Sequence, residues 1–363
     1  MRILVVHPGA SWSTHDVYVG IRDALRRQGH DVTIYALDGR IAVTHEYLQF
    51  VWRRGDRVVT QPNKADAVYL AGSGILERAF RCNADWVLVI SAMYLAPDWL
   101  VLLKRAGLRV GIVFTESPYE DDKQARVAPW ADICWVNERT SVEHMRQANP
   151  NTYYLAHAYD SIRHSPARPG VAPATLDVAS HDVVFVGTAF RERVELLSAA
   201  EWDGIDLGLY GNWASLGSRS QLRRRTRGKT IDNDQTVKLY QQAKIGLNMH
   251  RLSMGWERNA PRIAHAESLN PRAYELAACG LFHISDYRAE LGDVFGDVVP
   301  TFHSATELEK LVRYYLAHEE ERMEISAKLP ALVAGHTFDA RVGQMIGQMS
   351  SSTEPKVAQL VSV

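Results

Sequence analysis

The chain has only three cysteines in 363 residues, Cys82, Cys134 and Cys279, an odd number set far apart. They fit reduced, mostly buried thiols in a cytoplasmic protein better than a disulfide framework. It also lacks a charge surplus. The formal net charge is −1, which gives no whole-chain case for binding nucleic acid or anionic membrane. No stretch approaches the roughly 18 uninterrupted apolar residues of a membrane span. The apolar part of "MRILVVHPGA" is too short for a signal peptide and reads as a first strand. The 14 histidines show no HxxxH or Cys/His spacing that demands an ion, so neither a metal nor another cofactor is expected.

What the chain does have is length and rhythm. It is too long for one ordinary core and suggests two domains. Apolar runs alternate with amphipathic helical stretches: "RILVV" (Arg2–Val6), a helix carrying Val17, Ile21 and Leu25, then "DVTIYAL". Further strands are expected at Ala67–Gly72, Trp86–Ala92, Arg109–Thr115, Ile133–Asn137 and Thr152–Ala156. The stretch Ser161–Asp182 holds three prolines and little periodicity, which suits a linker. The βα rhythm restarts at Val183–Phe190 and continues through Ile205–Trp213, Lys244–His250, Leu281–Tyr287 and Asp297–Pro300. Apolar runs without strict alternation, separated by helices, indicate parallel sheets covered on both faces. The expected fold is α/β, two Rossmann-like domains facing across a cleft. Residues 1–160 form the first, 161–182 the linker and 183–335 the second. Residues 336–350 read as a C-terminal helix able to pack back on the first domain, and 351–363 as a flexible tail.

The stretch "ESLNPRAYELAACG" (Glu267–Gly280) carries the most chemistry. Asn270 is a good N-cap and Pro271 fits the first helical position. The helix N-terminus offers free N–H groups and a positive dipole end, a ready phosphate site. Arg272 adds a fork-shaped charge suited to phosphate oxygens. Glu275, one turn in, can accept hydrogen bonds from two vicinal hydroxyls, and Glu267 can reach a sugar beyond the phosphates. A helix with acidic residues near its start and a solvated arginine accounts for the same spacing.

Two glutamates with seven residues between them in such a turn resemble the donor-site motif of retaining GT-B glycosyltransferases. The segments "VVFVGTAFRERVELL", "LGLYGNW", "LYQQAKIGLNMHR", "SLNPRAYELAACGLFHISDY" and "GHTFDARV" are similar, in order, to CgeB-like (spore-maturation-protein) glycosyltransferases, a branch near glycosyltransferase family 4. The first half is similar more loosely, through "STHDVYVGIRDALRRQGHDV", "GIVFTESPYEDD" and "WVNERTS". The resemblance implies transfer of a sugar from a nucleotide-diphosphate sugar, with UDP the expected nucleotide and retention of configuration, and no metal. It implies that Glu275 binds ribose, Glu267 contacts the transferred sugar, and Ser268, Leu269 and Asn270 approach sugar and diphosphate. Arg193 would face the donor phosphates with Arg272, Arg191 being the alternative. Glu267, Arg193 and Arg272 are the expected catalytic group. Gly187, Tyr210, Gly211 and Asn212, with Asn248, His250 and Arg251 at the next strand end, complete the expected donor side. No Lys-Gly pair lies near Arg193 as it does in many family 4 enzymes, so the cation that balances the diphosphate is left open.

On the acceptor side the resemblance places Gly9, Ser11 and Asp16 after the first strand, and Thr115 and Glu116 after another. An ordinary βα connection accounts for the first group equally well. The acceptor is open: polysaccharide, protein or a modified nucleic-acid base. The oligomeric state is open too. The basic stretch Arg219–Lys229 reads as a solvated loop or as a patch for an anionic acceptor. Two other enzymes share the fold class. A sugar-nucleotide epimerase would use Glu116 and Glu267 as acid and base, and a phosphorylase would need Lys244 for pyridoxal. A non-catalytic nucleotide-sugar binding protein is the reading from another class.

Overall fold

The apolar runs become two parallel sheets in a computed structural model, which describes residues 1–9, 14–51, 53–54, 57–58, 63–167, 180–227, 231–255, 260–263 and 265–352. Ser11, residues 168–179 of the connection, residues 228–229 of the basic stretch and residues 353–363 of the tail lie outside the described residues. In the first half the strands are β1 (Arg2–Val6), β2 (Asp31–Tyr35), β3 (Arg53–Arg54), β4 (Arg57–Val58), β5 (Trp86–Ile90), β6 (Arg109–Phe114), β7 (Ile133–Val136) and β8 (Thr152–Tyr154). In the second they are β9 (Val183–Val186), β10 (Leu207–Tyr210), β11 (Ile245–Asn248), β12 (His283–Asp286) and β13 (Thr301–Phe302).

The first sheet runs β2-β1-β5-β6-β7-β8 and the second β10-β9-β11-β12-β13, every pairing parallel. Strands β3 and β4 form a separate antiparallel hairpin. Along β5 all residues are buried, and they divide between two cores. Val87 and Val89 join one helical layer, while Trp86, Leu88 and Ile90 join the other. That two-faced burial is why these strands read as continuous apolar runs. In both sheets the strand order reverses beside the first strand, between β1 and β5 and between β9 and β11. Ligands of open α/β sheets bind outside the carboxyl ends at such a point.

The two sets of carboxyl ends face each other. Glu116 and Tyr119 after β6, Glu138 after β7 and Tyr154 at the end of β8 all reach residues of the second domain. The helix Phe338–Ser351 crosses back to the first domain. There Phe338, Val342, Met345 and Met349 share a core with Ile3, Val5, Ile21 and Leu25. A side chain at Gly20 would begin only 2.2 Å from the Phe338 ring, so the two helices meet closely. Among the described residues no helix is long and apolar enough to cross a membrane.

Two expected strands are corrected. Ala67–Gly72 belongs to the helix Lys64–Gly72, which Asn63 caps by accepting from Ala65 N–H at 3.0 Å. Ala67 and Ala71, four apart, form its buried face, so helical spacing outweighs the apolar run. Asp297–Pro300 is a turn, and the strand begins at Thr301. Pro300 has no N–H to give the ladder, and only its carbonyl joins, accepting from Ser285 N–H at 3.0 Å.

Met345 is fully buried where the C-terminal helix meets the first domain. Met345→Ala is expected to destabilise the chain by about 2–5 kcal/mol. Thermal unfolding checks it, and an unchanged melting temperature would place that helix outside the cooperative core.

Candidate active site

The end of β9 and the end of β11 bring two guanidinium groups together. Arg193 lies in the first turn of the helix Arg191–Ala199 and turns back beneath the strand ends. It donates to Thr188 O at 3.0 Å and to Met249 O at 2.7 Å. Arg272, in the first turn of the helix Pro271–Ala278, donates to Val186 O at 2.6 Å and to the same Met249 O at 3.3 Å. Both guanidinium groups lie over the Phe185 ring, at 5.2 and 4.7 Å. Their hydrogen-bond partners are all carbonyls, with no carboxylate among the described residues. Burial, and then the neighbouring Arg272, lower the Arg193 pKa to about 9. Glu192 and Asp286 pull it up in part without bonding to either guanidinium, so two cations with carbonyl partners stand together at a strand-order reversal. Arg193 Nε is buried without a partner. Arg191 pairs instead with Glu195 on its own helix at 2.6 Å and does not join the pair.

Glycine shapes the same corner. A side chain at Gly187 would begin 2.6 Å from Arg272 Nη2, so Gly187 makes room for that guanidinium. Gly211 has φ +109°, and a side chain there would begin 2.3 Å from Gly187 O. Asn212 is exposed, its Oδ1 accepting from Ala214 N–H at 3.3 Å. Tyr210 and Asn248 do not face the cleft as expected. The Tyr210 hydroxyl pairs with His181 Nε2 at 2.8 Å, at the amino end of β9, and the other imidazole nitrogen meets Asp206 at 2.7 Å. Asn248 is fully buried and ties β11 to β12 by donating to Ser285 Oγ at 3.0 Å.

Asn270 caps its helix by accepting from Ala273 N–H at 3.1 Å. The preceding loop is held by carboxylates. Glu267 N–H and Ser268 N–H donate to the two oxygens of Glu138, at 3.2 and 3.1 Å, and Leu269 N–H donates to Glu290 at 2.6 Å. The half-exposed Glu267 carboxylate pairs with Arg139 of the first domain at 3.1 Å. Glu275 lies in a cavity of about 90 Å³ together with Asp16, Arg163, His164 and Asn233. Burial raises the pKa of both Glu275 and Asp16. Glu275 O accepts from Cys279 N–H at 3.0 Å, but among the described residues no hydrogen bond reaches its carboxylate, and His164 Nε2 is buried without a partner. Asp16, expected on the acceptor side, thus meets Glu275 of the donor side in one cavity.

Across the cleft, Arg251 pairs with Glu116 at 3.4 Å and lies 4.5 Å from the Tyr119 ring. The Tyr119 hydroxyl donates to Arg251 O. Burial raises the Glu116 pKa against the pull of Arg251. Thr115 Oγ1 is buried without a partner. Gly9 takes φ +82° beside the Tyr94 ring. Lys244 pairs with Asp182 at 2.8 Å at the amino end of β11, far from the strand ends that line the cleft, which removes the pyridoxal reading. The basic stretch is largely spent on structure. Arg223 donates to Leu216 O, Arg225 to Ile205 O and Trp202 O, and Arg227 to Arg224 O.

Sequence reasoning missed Tyr119, Glu138, Arg139, Asp286, Arg288 and Glu290. For Glu138, Arg139, Asp286 and Arg288 the available signal was a charged side chain at, or within three residues of, the end of a buried strand, whereas Tyr119 is uncharged and Glu290 lies inside the helix Ala289–Phe295. Asp286 is the clearest case, for it ends β12 and takes His250 N–H on both oxygens, at 3.1 and 3.0 Å, with His250 Nδ1 at 2.5 Å. That arrangement puts the imidazole proton on Nδ1 and leaves Nε2 as a buried lone pair without a partner.

Comparisons with known proteins bear on the fold and on the family likeness. A family model described as glycosyl transferase-like matches residues 191–347. Spore protein CgeB of Bacillus subtilis (strain 168) is 24% identical over 262 residues, which is 70% of this chain and 80% of that protein. Among solved structures, sucrose-phosphate synthase from Thermosynechococcus elongatus aligns with TM-score 0.64 at 12% identity, over 97% of this chain and 100% of the other. The E. coli trehalose-6-phosphate structure bound with UDP-2-fluoro glucose aligns with TM-score 0.61 at 11% identity, over 98% and 100%. The structures show the fold, GT-B. The family match and the Bacillus relative support a CgeB-like glycosyltransferase.

Burial holds the His250 pKa below the ordinary 6.5, although Asp286 pulls it up. A histidine depressed in the folded state contributes stability above pH 6.5 that is lost as pH falls through 6.5 toward the folded pKa. An NMR titration of the imidazole should give a midpoint below 6.5, lowered further by Asp286→Asn. A midpoint above the ordinary value would contradict the buried pair.

Proposed function

We propose that the chain moves a sugar from a nucleoside-diphosphate sugar, UDP being the expected nucleotide, to a hydroxyl of an acceptor, with retention of configuration. One observation carries this reading: Arg193 and Arg272 share the Met249 carbonyl with no carboxylate partner, at the carboxyl ends of β9 and β11. Such a site suits a diphosphate. When the bond from sugar to diphosphate breaks, negative charge gathers on the leaving group, and fixed cations lower the barrier by stabilising it there.

Each remaining residue takes a part in the same reading. Glu275, with Asp16 beside it in the cavity, accepts hydrogen bonds from ribose hydroxyls. Glu267 faces the transferred sugar, its charge tempered by Arg139. Glu116 and Arg251 border the acceptor side. In a retaining transfer a donor phosphate oxygen can take the acceptor proton on the same face, so no protein base is assigned. The two guanidinium groups supply the positive charge that a divalent ion would otherwise bring, so we expect metal-independent turnover. Three free thiols fit a cytoplasmic enzyme.

Free UDP is the test, measured after mixing the chain with UDP-sugars, with and without candidate acceptors. Acceptor-dependent UDP release that survives EDTA supports the reading, and a strict Mn²⁺ or Mg²⁺ requirement would count heavily against it. Conversion of the UDP-sugar without UDP release would indicate the epimerase, and binding alone a non-catalytic protein. Glu275→Ala should weaken UDP binding by roughly 1.5–3 kcal/mol for each charge-assisted hydrogen bond lost. Unchanged affinity by calorimetry would remove Glu275 from the site.

A further inference from the structure

Glu138 is only 2% exposed, yet it lies at the boundary between the domains. On its own side it accepts from Thr140 N–H at 3.1 Å and Thr140 Oγ1 at 3.0 Å. From the second domain it accepts Glu267 N–H at 3.2 Å, Ser268 N–H at 3.1 Å and Ser268 Oγ at 3.4 Å. The next residue, Arg139, completes the contact. Its backbone N–H donates to Ser268 Oγ at 3.0 Å, and its guanidinium pairs with Glu267 at 3.1 Å and Asp293 at 2.8 Å.

A second strap runs beside the first. Glu290 accepts Leu269 N–H on one oxygen and the hydroxyl of Tyr154, from the first domain, on the other. Three successive amides of the Glu267 loop are therefore fixed by carboxylates, and each carboxylate is on, or bonded to, the first domain. A buried carboxylate holding amides is worth more than an exposed one, because water cannot replace it cheaply.

We propose that Glu138 is a positioning residue: through the amides of Glu267 and Ser268 it sets the loop that carries Glu267, and it can do so only while the domains are closed. Domain closure and assembly of the sugar-facing side of the site are then one event. Diphosphate binding is separate, because Arg193 and Arg272 are placed by the second domain's own strands and helices and neither touches Glu138. The inference rests on the reading of Glu267 as the residue facing the sugar.

The experiment compares wild type, Glu138→Gln and Glu267→Gln. It uses hydrogen exchange at the amides of residues 267 and 268, UDP titration, and UDP release from UDP-glucose as the probe. Glu138→Gln should speed exchange at those amides about tenfold and lower kcat about tenfold, with UDP affinity and KM within about twofold. Unchanged exchange at both amides would overturn the proposal, as would UDP affinity falling in step with kcat. If Glu267→Gln leaves kcat unchanged while Glu138→Gln speeds exchange, the reading of Glu267 fails and the positioning role stands. If Glu138→Gln does not fold, Tyr154→Phe cuts the second strap alone. It should speed exchange at residue 269, and unchanged exchange there would overturn the coupling between the domains.

Discussion

A single carbonyl, that of Met249, carries two guanidinium groups, and the rest of the cleft is arranged around that crowding. Hydrogen bonds of 2.7 and 3.3 Å to one oxygen keep the nearest nitrogens of Arg193 and Arg272 within about 6 Å. At an effective dielectric constant near 20, two unit charges at that range repel by about 3 kcal/mol. Burial costs more still, and burial first and the Arg272 charge second lower the Arg193 pKa to about 9. Carbonyl dipoles from Val186, Thr188 and Met249 and the face of Phe185 offset part of it without neutralising either charge. An anion bound here would relieve the repulsion. The glycines follow from the same constraint: Gly187 leaves space for Arg272, and Gly211 leaves space for Gly187.

The second domain builds this cationic corner by itself, but the loop before it is shared. Its amides end on Glu138 and Glu290, and the side chain of Glu267 ends on Arg139. Arg251 likewise is flanked by Glu116 and Tyr119 of the first domain. The C-terminal helix Phe338–Ser351 then locks back onto the first domain's core, so the chain crosses the divide twice. A division of labour results, in which the diphosphate corner belongs to one domain while the Glu275 cavity, shared with Asp16, and the Glu267 loop lie at a seam between two.

Much of the fold was legible because buried parallel strands leave continuous apolar runs, as at Trp86–Ile90 and Val183–Val186. The reading failed where another rule competed. Ala67–Gly72 is as apolar as a strand, but its buried alanines are four apart, and Asn63 caps it. The site was legible where chemistry and local structure coincide, as in Asn270-Pro271-Arg272 at a helix start. It was illegible where a partner lies far away in sequence. Nothing near Glu138 announces that it meets Ser268, and nothing near Tyr210 announces that it turns back to His181.

The central claim is that the paired guanidinium groups form a diphosphate site, and calorimetric titration of UDP against uridine tests it most directly. The account predicts that UDP binds at least about a hundredfold more tightly than uridine, and that Arg193→Ala removes most of that difference while leaving uridine binding unchanged. A gap of that size is about 2.7 kcal/mol, within reach of two charge-assisted hydrogen bonds. Equal affinity for UDP and uridine in the wild type would contradict it, as would an undiminished gap in Arg193→Ala.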